Sequence, residues 1–136
     1  MSRQILVIDG QGGKLGRSLI EAIRSDCPDV EITAVGTNGM ATSAMAKARP
    51  AHLATGENAV IVCCRTADVV IGPIGIVIAD SMLGEISPAM AVAVGQCPAK
   101  KLLLPVGNAC SKIVVGAAEL PVSGLIEEAV RLLKVL

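Results

Sequence analysis

The residues best suited to chemistry lie in one run, Ile5-Leu6-Val7-Ile8-Asp9-Gly10-Gln11-Gly12-Gly13-Lys14-Leu15-Gly16-Arg17. It places four glycines between a strand-like apolar stretch and a helix-like amphipathic one, and that context gives the pattern its weight. Gly10 suits a tight turn, Gly12 or Gly13 would let backbone come close to an anion, and Gly16 would let the helix pack on the strand. A helix start offers unbonded N–H groups and the positive end of the helix dipole, so the loop suits a phosphate. Lys14 and Arg17 add positive charge beside it. The same glycines also fit a plain strand-to-helix turn with no ligand.

Two further segments belong with that loop. Gly36-Thr37-Asn38 ends a second strand-like run, where a dinucleotide fold commonly carries Asp or Glu for the ribose 2′-hydroxyl. Thr37 and Asn38 can hydrogen-bond a ribose or a 2′-phosphate, and with Lys47 and Arg49 nearby they favour NADP slightly over NAD. They serve equally well as ordinary turn residues. Gly72-Pro73-Ile74-Gly75 follows another apolar run at the place where such sheets put ligand loops. The candidate binding set is therefore Gly10, Gln11, Gly12, Gly13, Lys14, Leu15, Gly16, Thr37, Asn38, Gly72, Pro73 and Gly75. Asp9 departs from the pattern, because a carboxylate repels a pyrophosphate unless a cation or its own hydrogen bonds neutralise it.

Catalytic chemistry is harder to assemble. The single histidine, His52, sits between Ala51 and Leu53, so no Ser-His-Asp or Cys-His set emerges. Glu57, Asp80, Ser81 and Glu85 are the polar residues beside the inferred loops and the candidates for any catalysis, with Asp80 and Ser81 read first as helix-end residues. A P-loop-like hydrolase would use Gly12-Gly13-Lys14-Leu15-Gly16-Arg17-Ser18, with Ile76-Val77-Ile78-Ala79-Asp80 as a strand ending in a magnesium-binding carboxylate. The required spacing fails, since Gln11 takes the first glycine position and Arg17 the lysine position. Five cysteines, Cys27, Cys63, Cys64, Cys97 and Cys110, include no CxxC and no neighbouring His. They read as reduced thiols rather than zinc ligands, and an adjacent pair such as Cys63-Cys64 bridges only with strain.

The spelling Gly10-x-x-Gly13-x-x-Gly16-Arg17 resembles the dinucleotide loop of dihydrodipicolinate reductases over about residues 4–24. A broader resemblance covers the whole chain. Ile8-Asp9-Gly10-Gln11-Gly12-Gly13, Ala54-Thr55-Gly56-Glu57-Asn58, Ile71-Gly72-Pro73-Ile74-Gly75 and Ser81-Met82-Leu83-Gly84-Glu85-Ile86 are similar to stretches of a family of small bacterial proteins of unknown function. That likeness implies a family and no activity.

The elements that would position these residues alternate. Residues 4–8 form a buried strand, Gly13 to Arg24 an amphipathic helix with Leu15, Leu19 and Ile23 on one stripe, and Glu31 to Val35 a second strand. Ala41 to Ala48 has helical composition. Thr55-Gly56-Glu57-Asn58 could cap a short helix through Cys64, the preferred reading, or Ala59 to Cys64 could be a strand, because Val60-Ile61-Val62 favours extension. Asp68 to Ile71 is a strand, Ile76 to Met82 is left open between helix and strand, and Ser87-Pro88 starts a helix ending near Gly95. Lys101 to Val106 and Ile113 to Val115 read as strands, and Leu125, Ala129, Leu132, Leu133 and Leu136 mark a terminal helix. Alternating strands and helices predict a single doubly wound, Rossmann-like, three-layer α/β domain with a mostly parallel sheet and right-handed crossovers.

Composition limits the partners. With 12 basic and 12 acidic residues and no aromatic side chain, the 136-residue chain offers neither a charged footprint nor stacking platforms for nucleic acid. The N-terminus does not read as a signal peptide, and no apolar run reaches membrane-spanning length, so a cytoplasmic location is expected. A mean hydropathy of +0.65 with 18% charged residues predicts a homo-oligomer. The sequence therefore points first to a sensor or regulatory domain for a small nucleotide-like ligand, with NADP or NAD as the cofactor. A small NADP-dependent reductase subunit, a P-loop-like hydrolase and a non-binding structural oligomer are the alternatives.

Overall fold

The computed structural model describes residues 2–106, 112–116 and 120–136. Five strands form one parallel sheet: β1 (Gln4–Asp9), β2 (Glu31–Gly36), β3 (His52–Thr55), β4 (Val69–Pro73) and β5 (Lys100–Leu104), in the order β3-β2-β1-β4-β5. Five helices connect or flank them: α1 (Lys14–Asp26), α2 (Gly39–Ala46), α3 (Glu57–Cys64), α4 (Pro88–Gln96) and α5 (Val122–Val135). The expected parallel pairing of the first two strands is present, with Val7 opposite Ala34 on one side and Ile71 on the other.

The period of two along β1 decides the layers. Ile5 and Val7 face Leu19, Ile20 and Ile23 of α1, Met45 of α2 and Leu133 of α5. Leu6 and Ile8 face the opposite core, with Val60 of α3 and Met90 and Val94 of α4. Both faces of β1 are buried, which is why its apolar run is continuous. Helices α1, α2 and α5 on one face of the sheet and α3 and α4 on the other make a Rossmann-like three-layer arrangement.

Three sequence expectations change. β3 is an added edge strand whose residues are mostly exposed, so it lacks the apolar alternation that marks a strand. Ile76 to Met82 is neither helix nor strand: a 3-10 turn spans Ile74–Val77, and successive turns follow through Glu85. β-branching at Ile76, Val77 and Ile78 opposes a helix, and β5 already occupies the sheet position beside β4. Ile113 to Val115 is not a strand, and Ile113 and Val115 are 88% and 94% exposed. α3 and α4 form as expected, α4 beginning where the Ser87 hydroxyl accepts the Met90 N–H at 3.2 Å.

Candidate functional site

Strand order reverses direction at β1, whose neighbours β2 and β4 lead to opposite edges of the sheet. The crevice at the carboxyl ends of β1 and β4 is the topological switch point, where open α/β sheets bind ligands. A cavity of about 720 Å³ lies there. Its floor is Asp9 and the loop Gly10–Leu15, and its walls include Pro73, Gly75, Ser81, Met82, Leu83 and Val106.

The loop is built from the backbone outward. Gly13 closes a turn by donating its N–H to the Gly10 carbonyl at 2.9 Å, and its φ of 73° is left-handed. A Cβ at Gly13 would lie 2.6 Å from the Ala41 carbonyl oxygen, so packing alone demands glycine there. Gly12 differs, because nothing lies within 4 Å of where its Cβ would be and its backbone is not left-handed. Asp9 does the work of a helix cap from the end of β1. Its two carboxylate oxygens accept the Gly10 N–H at 2.8 Å and the Gly16 N–H at 2.7 Å. Burial raises the Asp9 carboxyl above its ordinary range, against the pull of those two bonds, and the neighbouring Glu85 charge pushes the same way. The carboxylate thus carries its own hydrogen bonds, one of the two conditions under which it can sit near an anion. The N–H groups of Gly12, Lys14 and Leu15 form no hydrogen bond among the described residues.

The segment between the 3-10 turn and α4 folds back over this loop. Asp80, Met82 and Leu83 are left-handed at φ 68°, 56° and 56°, each a conformation that costs a non-glycine residue roughly 1–3 kcal/mol. The segment is closed by the Asp80 N–H donating to the Ile86 carbonyl at 2.7 Å, and the buried Ser81 hydroxyl donates to the Gly75 carbonyl at 2.5 Å. Glu85 fastens it down. One oxygen, Oε1, accepts the Gln11 N–H at 2.8 Å, the Thr37 hydroxyl at 2.6 Å and the Asn38 side-chain amide at 2.8 Å. Burial alone would raise the Glu85 carboxyl, but the bonds from Thr37, Gln11 and Asn38 together hold it below its ordinary range. Asn38 in turn caps α2, accepting the Ala41 N–H at 2.9 Å, and donates to the Gln11 carbonyl at 3.1 Å.

The expected site residues divide accordingly. Gly10, Gln11, Gly12, Gly13, Lys14, Leu15, Pro73 and Gly75 line one cavity. Gly16 and Gly72 lie in the packed frame, Gly72 with its α-carbon against the Ile8 carbonyl. Thr37 and Asn38 hold Glu85. Arg17 pairs with Glu21 along α1 at 2.8 Å, so Lys14 is the cation lining the cavity. Lys47 and Arg49 follow the far end of α2, about 12 Å along the helix from Asn38. Glu57 accepts from the Ser87 hydroxyl at the start of α4, and Asp80 is exposed. His52 pairs with Glu31 at 2.7 Å on the exposed β2–β3 surface. Ile76 to Asp80 is no strand, so the hydrolase-like carboxylate lacks its expected support. Met82, Leu83 and Val106 were not among the expected lining residues, and nothing in their spacing marks them.

A family model for a domain of unknown function, DUF3842, matches residues 4–136, nearly the full chain. The chain belongs to the DUF3842 family. Membership agrees with the whole-chain resemblance and assigns no reaction. No curated protein matches the chain. Among the described residues, no helix of this family member is long and apolar enough to cross a membrane, and no cluster of three His, Cys, Asp or Glu side chains could hold a metal.

Proposed function

We propose that this DUF3842 chain is a nucleotide-binding sensor or regulatory domain whose phosphate site is the Gly12–Leu15 backbone. The observation that carries this reading is that Gly12, Lys14 and Leu15, whose amides have no hydrogen-bond partner among the described residues, line a roomy cavity at the switch point. Packing explains glycine at Gly13, while at Gly12 it leaves open space, as a ligand approaching the backbone requires. Lys14 supplies a cation beside the amides. A volume of about 720 Å³ falls within the usual range for small-molecule sites, roughly 300–1,000 Å³. The left-handed residues opposite the loop support the same reading, because strain of this kind collects at binding sites.

The test is thermal melting with ATP, AMP, NADH, NADPH, FAD and coenzyme A. A ligand at about 100 times its Kd adds roughly 2.7 kcal/mol to folding stability. Gly12→Val should leave the unliganded melting temperature nearly unchanged, within about 0.5 kcal/mol, and abolish the ligand shift. Gly13→Val should cost several kcal/mol through strain and overpacking, roughly 1–3 kcal/mol from each, whether or not ligand is present. With no nucleotide-induced shift in the wild-type protein, a structural role would replace this reading. Steady oxidation of NADPH would replace the sensor with a reductase subunit.

A further inference from the structure

We propose that the site takes a ligand with a single phosphate and a mononucleotide-sized body, because Glu85 closes the half of the crevice that a dinucleotide would need. The inference rests on the phosphate-cradle reading above and narrows it. A dinucleotide lies across the switch point, with one ribose beside the end of β2 and the rest on the β4 side. On the β2 side Glu85 already occupies the donors of the loop and of the strand end, and what keeps a ribose away from its carboxylate is the filled space over Gly10. The Gln11 N–H, the Thr37 hydroxyl and the Asn38 amide all converge on Glu85 Oε1.

Space is closed there as well as hydrogen bonding. A single added carbon on Gly10 would lie 2.6 Å from Met82 Sδ, 2.7 Å from Thr37 Oγ1 and 3.0 Å from Glu85 Oε1. A sugar ring over Gly10 would have to displace the Met82 and Glu85 side chains from where they rest. A 2′-phosphate would in addition meet the Glu85 carboxylate, a like charge with no cation from α2 beside it.

The β4 side is different. There the cavity opens past Gly12 toward Pro73, Gly75 and Val106. The glycine loop is thus divided: the Gln11 amide is satisfied by a carboxylate of the same chain, whereas Gly12, Lys14 and Leu15 line the cavity with amides that have no partner among the described residues. One anion's worth of donors remains for a ligand. Glu85 acts as a specificity-determining residue that fills the second subsite from within.

The experiment is calorimetric titration of the full chain with AMP, GMP, UMP, FMN, inorganic phosphate, NADH and NADPH. The expected result is that at least one mononucleotide binds wild type, loses binding in Gly12→Val, and exceeds both dinucleotides by at least about tenfold in affinity. Glu85→Ala and, independently, Met82→Ala should raise NADH affinity by about tenfold by clearing the space over Gly10. Wild-type binding of NADH or NADPH at least as tight as the best mononucleotide, and lost in Gly12→Val, would overturn the single-phosphate inference and leave the cradle standing. Binding of none of these compounds, or binding indifferent to Gly12→Val, would overturn the cradle and this inference together. The wild-type comparison decides the matter even where a variant fails to fold.

Discussion

Two carboxylates beside the glycine loop are shifted in opposite directions from their ordinary values, and each has its own backbone partner. Glu85 is held below its ordinary range, so its contribution to stability is complete above the unfolded-state value and is lost as pH falls through the folded one. Asp9 is raised by burial, so its ionisation opposes folding as pH rises toward the folded value and is without cost below the unfolded one. The Gln11 amide resonance should therefore shift on acidification below the usual glutamate range, and the Gly16 amide resonance at higher pH. Glu85→Gln should remove the first titration and leave the second in place at a lower pH, because the Glu85 charge no longer helps to raise Asp9. Coincident titrations measured by NMR would show that the two acids do not hold these separate amides. At this scale the sequence was informative about the loop and silent about its cover. Strand-to-helix context singled out Gly10 to Leu15, but the bonds from Thr37 and Asn38 to Glu85 span 48 and 47 residues, beyond what local spacing conveys.

Among the elements, α3 and α4 pack together on one face of the sheet, and the thiols test that packing. Cys64 is buried, and burial, reinforced by the neighbouring Cys97 and Cys63 thiols, pushes it up to about 12. It should resist iodoacetamide at pH 8 in the native protein and react only after unfolding, whereas partly exposed Cys27 should react natively. Peptide mapping by mass spectrometry reads both outcomes, and rapid native labelling of Cys64 would mean that α3 does not pack as described. Legibility at this scale followed burial. β1, β2, α1 and α5 carry strong apolar periods and were plain in the sequence. β3 was hidden because an exposed four-residue edge strand has almost no period to read. Ile113 to Val115 misled in the other direction, since β-branched residues favour strands only where a neighbouring strand or core receives them.

For the molecule as a whole, the parallel order β3-β2-β1-β4-β5 leaves β3 and β5 as edges, and the carboxyl ends of β1 and β4 as the one point of reversal. Alternation of elements sufficed to expect a doubly wound, mostly parallel sheet, though not its strand order, and that order sets where the switch-point crevice lies. Apolar surface remains outside the two cores: Leu83 is 99% exposed, and Ile113 and Val115 are nearly as bare. Together with the high mean hydropathy, this supports the expectation of self-association. Light scattering at micromolar concentration should give a mass above the 13.8 kDa of one chain. A mass equal to one chain would remove the expectation.

Asn38 is followed by Gly39, the pairing whose backbone most readily attacks the side-chain amide and releases ammonia. In this fold that one amide caps α2, grips the Gln11 carbonyl and holds Glu85. Its conversion to a carboxylate would exchange a donor for a negative charge facing Glu85, and the segment over Gly10 would be repelled from where it now rests. Such a conversion would act as a slow chemical clock at the site. Aged preparations would accumulate molecules with the β2 half of the crevice uncovered, and fresh and stored samples would differ in which ligands they admit.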